Sequence, residues 1–339
     1  MMSVVQGNNA SNSTWTWTSV EWQWWEVIQL ILAIAGIIGN FLVMLVLFRV
    51  KRKFCSTDTL IAGLALADFL TSLFIIPHAE VKTLPDTVAA QLYCRIIHSS
   101  VVMWISICAS IFTLTTISIE RLTAVVRPFH FRNIFSRKRT IMMITSIWIV
   151  SLLVNIVVMF VVYYEGGSCK FGYPAVWFHK FTGVMVFLIE YLFPVIIMVV
   201  AHVFMIFTLR RHPRTKSKSK EANRHIVWML LMVVVVFVIC WTPDQLFYFA
   251  LNIGLIDHTY LYSPQYRLYV VLAFVNSCAN PIIYAARNPN FRQALKELCG
   301  SVRVGGIQHI FVDFETRGSR TSDRMTTRTR IELSSSAML

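Results

Sequence analysis

The chain has 339 residues, enough for two soluble domains, yet 56% of them are hydrophobic and only 14% charged, against about 45–50% and 25% in ordinary soluble domains. A soluble protein this apolar could not cover its surface, which excludes a disordered chain, a disulfide-rich mini-fold and a free cytosolic enzyme. The formal net charge of +14 would serve a nucleic acid only if the basic residues shared one accessible surface, and they are divided among separate loops instead, so no nucleic-acid partner is expected.

Residues 1–26 are polar and Trp-rich (Trp15, Trp17, Trp22, Trp24, Trp25), with acceptor motifs for N-glycosylation at Asn9 and Asn12. No cleavable signal precedes the first apolar run, so that run inserts itself, and the Trp cluster falls where an interfacial aromatic belt lies. Seven apolar runs follow, each near the 20 or so residues that a bilayer requires. Val27–Phe48, Ile96–Ile119, Ile141–Tyr164 and Leu268–Ala286 carry no charge. Thr59–Ala79 carries only Asp68, Phe181–Leu209 only Glu190, and Ile226–Ala250 only Asp244. The expected fold is an all-α membrane protein, a seven-transmembrane helix bundle over 27–286. Residues 287–300 read as a short amphipathic juxtamembrane helix, with Phe291, Leu295 and Leu298 on its lipid face and Arg292 and Lys296 opposite. Cys299 at its end is an expected palmitoylation site. Residues 301–339 are polar and unpatterned, which predicts a disordered tail.

Loop charge sets the orientation, because Lys and Arg remain on the cytoplasmic side. The loops after runs one, three and five carry +3, +5 and +6, and the tail from Arg287 carries +4. The other set, beginning with residues 1–26, carries −2, 0, +1 and 0. The N-terminus is therefore expected outside and the C-terminus inside. Of seven cysteines, only Cys94 and Cys169 then lie in an oxidising space, which leaves one disulfide to form. It would pin the loop between runs four and five across the bundle mouth. No zinc, nucleophile-elbow or phosphate-cradling motif occurs, so no enzymatic activity is expected.

The polar residues within the runs lie at one depth. Counted from the basic end, Asn40, Asp68, Ser110, Asn276, Ser277 and Asn280 fall within a slab of roughly 6 Å at 1.5 Å per residue. A charge at mid-bilayer costs about 2.5–3.5 kcal/mol, so Asp68 needs a cation or several donors. A structural hydrogen-bond network and a cation site both fit the pattern, and a small cation is the preferred reading.

Each run carries a motif: Gly39-Asn40, Leu64-Ala65-Leu66-Ala67-Asp68, Glu120-Arg121-Leu122, Trp148, Pro194, Cys240-Trp241-Thr242-Pro243 and Asn280-Pro281-Ile282-Ile283-Tyr284. In kind and order these resemble the motifs of the rhodopsin-like G protein-coupled receptors. The resemblance covers about residues 27–299. It implies an allosteric sodium ion at Asp68, Ser110, Asn276 and Ser277, with Trp241 above it, and no other cofactor. It implies that Arg121 pairs with Glu120 at rest and meets a heterotrimeric G protein when active. It makes Pro243 the kink of the sixth helix, and Trp241, Asn280, Pro281 and Tyr284 parts of the same switch. It also implies a plasma-membrane location, contact with membrane lipids, and a tail phosphorylated by receptor kinases that then binds arrestin.

Several departures stand out. Leu122 replaces the usual Tyr; His202 replaces a Tyr that meets Tyr284 in the family's active state; and Asn223 replaces an acid that locks Arg121 in some members. The spacing from Cys94 to Arg121 is about two residues longer than usual, which predicts an irregular mouth of the third helix. Ligand classes fall by subtraction. No Lys stands between Lys220 and Lys296, and Phe274 occupies the opsin lysine's place, so retinal is excluded. Met103 stands where amine receptors carry an Asp. The mouth is rich in polar and aromatic residues (His78, Glu80, His98, Lys170, His179, Tyr248, Tyr262, Arg267), which resembles the neuropeptide branch. Met103, Glu190, Asp244, Gln245 and Tyr248 are the expected ligand contacts, and the two acids suit a peptide with a basic residue. A lipid or other small molecule is the alternative ligand. A transporter is the alternative class, disfavoured by an odd number of runs without repeats.

Overall fold

The computed structural model describes residues 14–19, 22–50, 55–211, 218–287 and 289–303. Among them, seven helices are long and apolar enough to cross a membrane: Trp24–Arg49, Ser56–Phe74, Val88–Val126, Arg137–Val161, Val176–Arg211, Ile226–Ile253 and Pro264–Arg287. These are spans one to seven. Helices are the form these runs must take, because hydrocarbon offers no partner for an unpaired backbone N–H or carbonyl. The seven pack into one bundle whose core includes Leu60, Leu64, Ile117, Met198, Leu230 and Phe237.

Small residues let the spans approach. A Cβ on Gly39 would meet the Pro281 side chain at 2.9 Å, so only glycine permits this contact between spans one and seven. A Cβ on Gly183 would collide with the Asn252 side chain, which brings spans five and six together at the other end.

Two spans depart from a regular helix. Span three opens with a short α-helical stretch, Val88–Leu92, widens into a π turn at Tyr93–His98, then breaks at Ser100, whose φ of 54° lies in the left-handed region. The helix restarts at Val101. The extra residues between Cys94 and Arg121 are taken up here, as the long spacing predicts. Span five contains a second π turn, Phe187–Leu192, directly before Pro194. Pro194 has no N–H to give the carbonyl four residues back, and the wider turn absorbs that mismatch.

One end of the bundle is capped by strands. β1 (Thr16–Trp17) pairs antiparallel with β2 (Val81–Thr83), in the connection between spans two and three. β3 (Val162–Glu165) and β4 (Ser168–Phe171) form a hairpin between spans four and five. Its two turn residues, Gly166 and Gly167, have φ of +58° and +83°, the geometry that a right-twisted two-residue hairpin demands. Cys94 and Cys169 are joined in a disulfide, so the hairpin is tied to span three. Trp15, Leu84, Tyr93, Val161, Val162 and Tyr173 pack around that bond as a small separate core.

A helix, Pro289–Arg303, follows the seventh span. It continues three residues beyond the expected end, since Ser301, Val302 and Arg303 include no helix breaker. The expected glycosylation sites Asn9 and Asn12 lie outside the described residues, as do the tail from 304 onward and the side chains of Asn223, Tyr262 and Cys299.

Candidate functional site

A cavity of about 680 Å3 opens at the disulfide end. Its wall draws on spans three to seven and on the β3–β4 hairpin. Of the expected ligand contacts, Glu190, Asp244, Gln245 and Tyr248 line it, and so do His98, Lys170 and His179. Met103 does not. It is buried in the main core, and its neighbour Trp104 takes the place at the wall. Successive helical residues point about 100° apart, and here that rotation turns Met103 into the core and Trp104 to the wall. Arg267 also lies away from the wall, its guanidinium 5.7 Å from the Trp25 ring.

The two carboxylates in the cavity differ in what holds them. Glu190, 5% exposed, accepts from Asn155 Nδ2 of span four at 2.8 Å. Asp244, 6% exposed, has only its neighbour Gln245 Nε2, at 3.3 Å. Gln245 Oε1 and Asn252 Oδ1 are buried with no hydrogen-bond partner, and both residues line the cavity. Among the described residues neither acid has a basic partner within 4.0 Å. At the rim, Lys170 Nζ bonds Glu165 at 2.9 Å, and that bond holds its pKa above the ordinary lysine value. Tyr173 stacks on His179 at 4.3 Å, and burial pushes its phenol pKa up.

Deeper in the bundle the polar layer assembles around Asp68, which is wholly buried. Ser110 Oγ donates to its Oδ1 at 2.6 Å and Asn280 Nδ2 to its Oδ2 at 2.7 Å, joining spans two, three and seven. Asn40 Nδ2 donates to the Ser277 carbonyl at 2.8 Å. That carbonyl is the one Pro281 leaves without a helical donor. Asn276 and Ser277 are buried, and Trp241 sits in the core without reaching the cavity wall. Asn276 Oδ1, Asn280 Oδ1 and Trp241 Nε1 remain without partners.

At the far end, Glu120 is completely buried and grips Arg121 twice, from Nε at 2.6 Å and from Nη2 at 3.1 Å. Thr57 Oγ1 of span two donates to the same carboxylate at 2.7 Å. His202 Nδ1 bonds the Met198 carbonyl at 2.8 Å. A carbonyl only accepts, so Nδ1 carries a proton. His202 Nε2 and the Tyr284 hydroxyl are buried without a partner.

Sequence reasoning missed Thr57, Trp104, Asn155, Asn252 and Tyr266. Asn155 was legible as a lone amide in the outer part of an uncharged run. Asn252 and Thr57 fall just beyond the ends of their runs, where a polar residue attracts no notice. Trp104 and Tyr266 carry no polar anomaly at all.

Seven apolar helices, irreducibly polar at one inner layer and hollow at one end, define an integral membrane protein that can couple a cavity to its opposite face. A family model described as 7 transmembrane receptor (rhodopsin family) matches residues 39–284. The chain belongs to that family. It is a multi-pass plasma-membrane receptor that binds a ligand and signals through G proteins, and it is not an enzyme.

Proposed function

We propose that this receptor is activated by an extracellular peptide carrying a basic residue. The observation that carries the reading is the cavity: large, with aromatic and polar side chains in its wall, and holding two buried carboxylates that have no basic partner among the described residues. Such acids call for a positive group from outside. Tyr248, with Asp244, Gln245 and Glu190, would form the ligand wall. The charge of the loops supports an N-terminus outside the cell, where Asn9 and Asn12 would be glycosylated.

The receptor would report through the rest of the polar column. Asp68, Ser110, Asn276 and Ser277 suit a sodium ion: they offer a carboxylate, hydroxyls and an amide oxygen with no donor, all oxygen ligands for a hard cation. The Glu120–Arg121 pair would open for the G protein, with Pro243 allowing span six to swing. Trp241, Asn280, Pro281, Tyr284 and His202 would rearrange in the same step, and the unpartnered His202 Nε2 and Tyr284 hydroxyl suit a bond made only in the active state. Kinases and arrestin would act on the tail, and palmitate on Cys299 would anchor the last helix among the lipids.

A library of peptides applied to cells expressing the chain, read out as G protein activation, tests the ligand class. Activating pools should contain basic residues. Activation by lipid extracts, with every peptide pool silent, would overturn the peptide reading.

A further inference from the structure

Resting on that reading, we infer that the cavity anchors its ligand on span six, through Asp244 and Gln245, and that the group anchored is a guanidinium. Glu190 stands in the same wall but is held as a strut to span four.

The two acids differ in hydrogen bonding. Glu190 already accepts a 2.8 Å bond from Asn155 of span four. Moving it would leave the buried Asn155 amide with the Ser151 carbonyl of its own helix, at 3.1 Å, as its acceptor. Its wide π turn places this carboxylate against span four, where it ties two helices together. Span six presents the opposite condition. Among the described residues Asp244 has one long bond from its neighbour, and Gln245 Oε1 has none. A buried acceptor without a donor is destabilising, and here two under-served acceptors adjoin on one helix.

These under-served groups are both acceptors: a carboxylate and an amide oxygen. Gln245 has committed its amide nitrogen to Asp244. The wall therefore selects an occupant rich in N–H and poor in acceptors. An ammonium is a compact point charge with three donors, whereas a guanidinium is a flat fork of five. The fork can serve the Asp244 carboxylate and the adjacent Gln245 oxygen together. Lys170, the lysine at the wall, is held by Glu165 at the rim, and among the described residues no ion pair reaches Asp244.

The test uses the full chain in lipid nanodiscs with three probes: N-acetyl-arginine amide, N-acetyl-lysine amide and the neutral N-acetyl-citrulline amide. Binding is read by saturation-transfer NMR. The arginine probe should bind on the order of tenfold more tightly than citrulline, and more tightly than lysine. Asp244→Asn should abolish that preference and Gln245→Leu should reduce it. Glu190→Gln should keep the ratio, since a glutamine oxygen still accepts from Asn155. Equal binding of arginine and citrulline overturns the proposal, equal binding of arginine and lysine overturns the guanidinium, and a preference lost in Glu190→Gln overturns the division between the acids. None of these results depends on receptor activation, so the peptide screen can succeed where this inference fails, and the reverse.

Discussion

Asn40 repairs a defect made by a residue far along the chain. Pro281 deprives the Ser277 carbonyl of its helical donor, and Asn40 supplies one across the gap that Gly39 keeps narrow. Asn40→Ala should therefore destabilise the protein by about 1–3 kcal/mol, seen as a lower thermal midpoint of the purified receptor. Gly39→Ala should act in the same direction by forcing spans one and seven apart. Glu120 holds its arginine in a different kind of balance. The pair is buried and doubly bonded, with Thr57 occupying a further lone pair. Glu120→Gln removes the charge while keeping the shape, so basal G protein nucleotide exchange should rise; an unchanged rate would mean that the pair does not restrain the resting state. Asn40 was legible as a polar residue inside an apolar run, though its partner was not; Glu120, beyond the end of its run, was legible only through the family resemblance. Thr57 was not, since a threonine near a helix end is ordinary.

At the scale of elements, the mouth of span three shows what spacing alone can and cannot convey. An excess of residues between Cys94 and Arg121 foretold irregularity, but its form depended on packing: a π turn, then a left-handed Ser100. A non-glycine residue in that conformation costs about 1–2 kcal/mol. Ser100→Gly should raise the thermal midpoint, and Ser100→Val should lower it. The strand β1 was not legible at all. Two residues carry no periodicity, and Trp15 and Trp17 read equally well as an aromatic belt. In the structure Trp15 meets Tyr93 edge-on at 5.5 Å, Thr18 bonds the Glu80 carbonyl through its N–H at 2.8 Å, and the Leu84 N–H reaches the Gly167 carbonyl at 2.8 Å. The N-terminal segment thus braces β2, which in turn braces the hairpin. Trp15→Ala should speed hydrogen exchange at the amides of residues 81–84 and leave exchange in spans one to seven unchanged.

For the molecule as a whole, the question is how the cavity and the far end inform each other. The polar layer lies between them and ties spans two, three and seven to one carboxylate. If sodium selects the resting arrangement, raising sodium should lower agonist affinity, and by linkage agonist should weaken sodium binding by the same factor. Asp68→Asn should remove the sodium dependence while the receptor still reaches the surface; a dependence that survives would place the ion elsewhere. The seven spans and this layer were legible because a bilayer punishes polarity at any place but a partnered one. The cavity wall was only half legible. Glu190 and Asp244 declared themselves by charge, but which of them is already partnered depends on side chains from other helices, and no single-chain pattern encodes that.

The brace at the mouth also sets a timetable for synthesis. Thr16 meets Thr83, 67 residues later in the chain, and Cys94 meets Cys169, 75 residues later. At about 5–20 residues per second, β1 waits roughly 3–13 s for its partner strand, and Cys94 roughly 4–15 s for its partner thiol. Throughout the first interval a tryptophan-rich tail has no protein surface to cover it, so the membrane surface or a chaperone must shelter it. Slowing elongation between residues 18 and 81 would lengthen that interval and should lower the yield of correctly capped receptor without altering a single contact in the finished one.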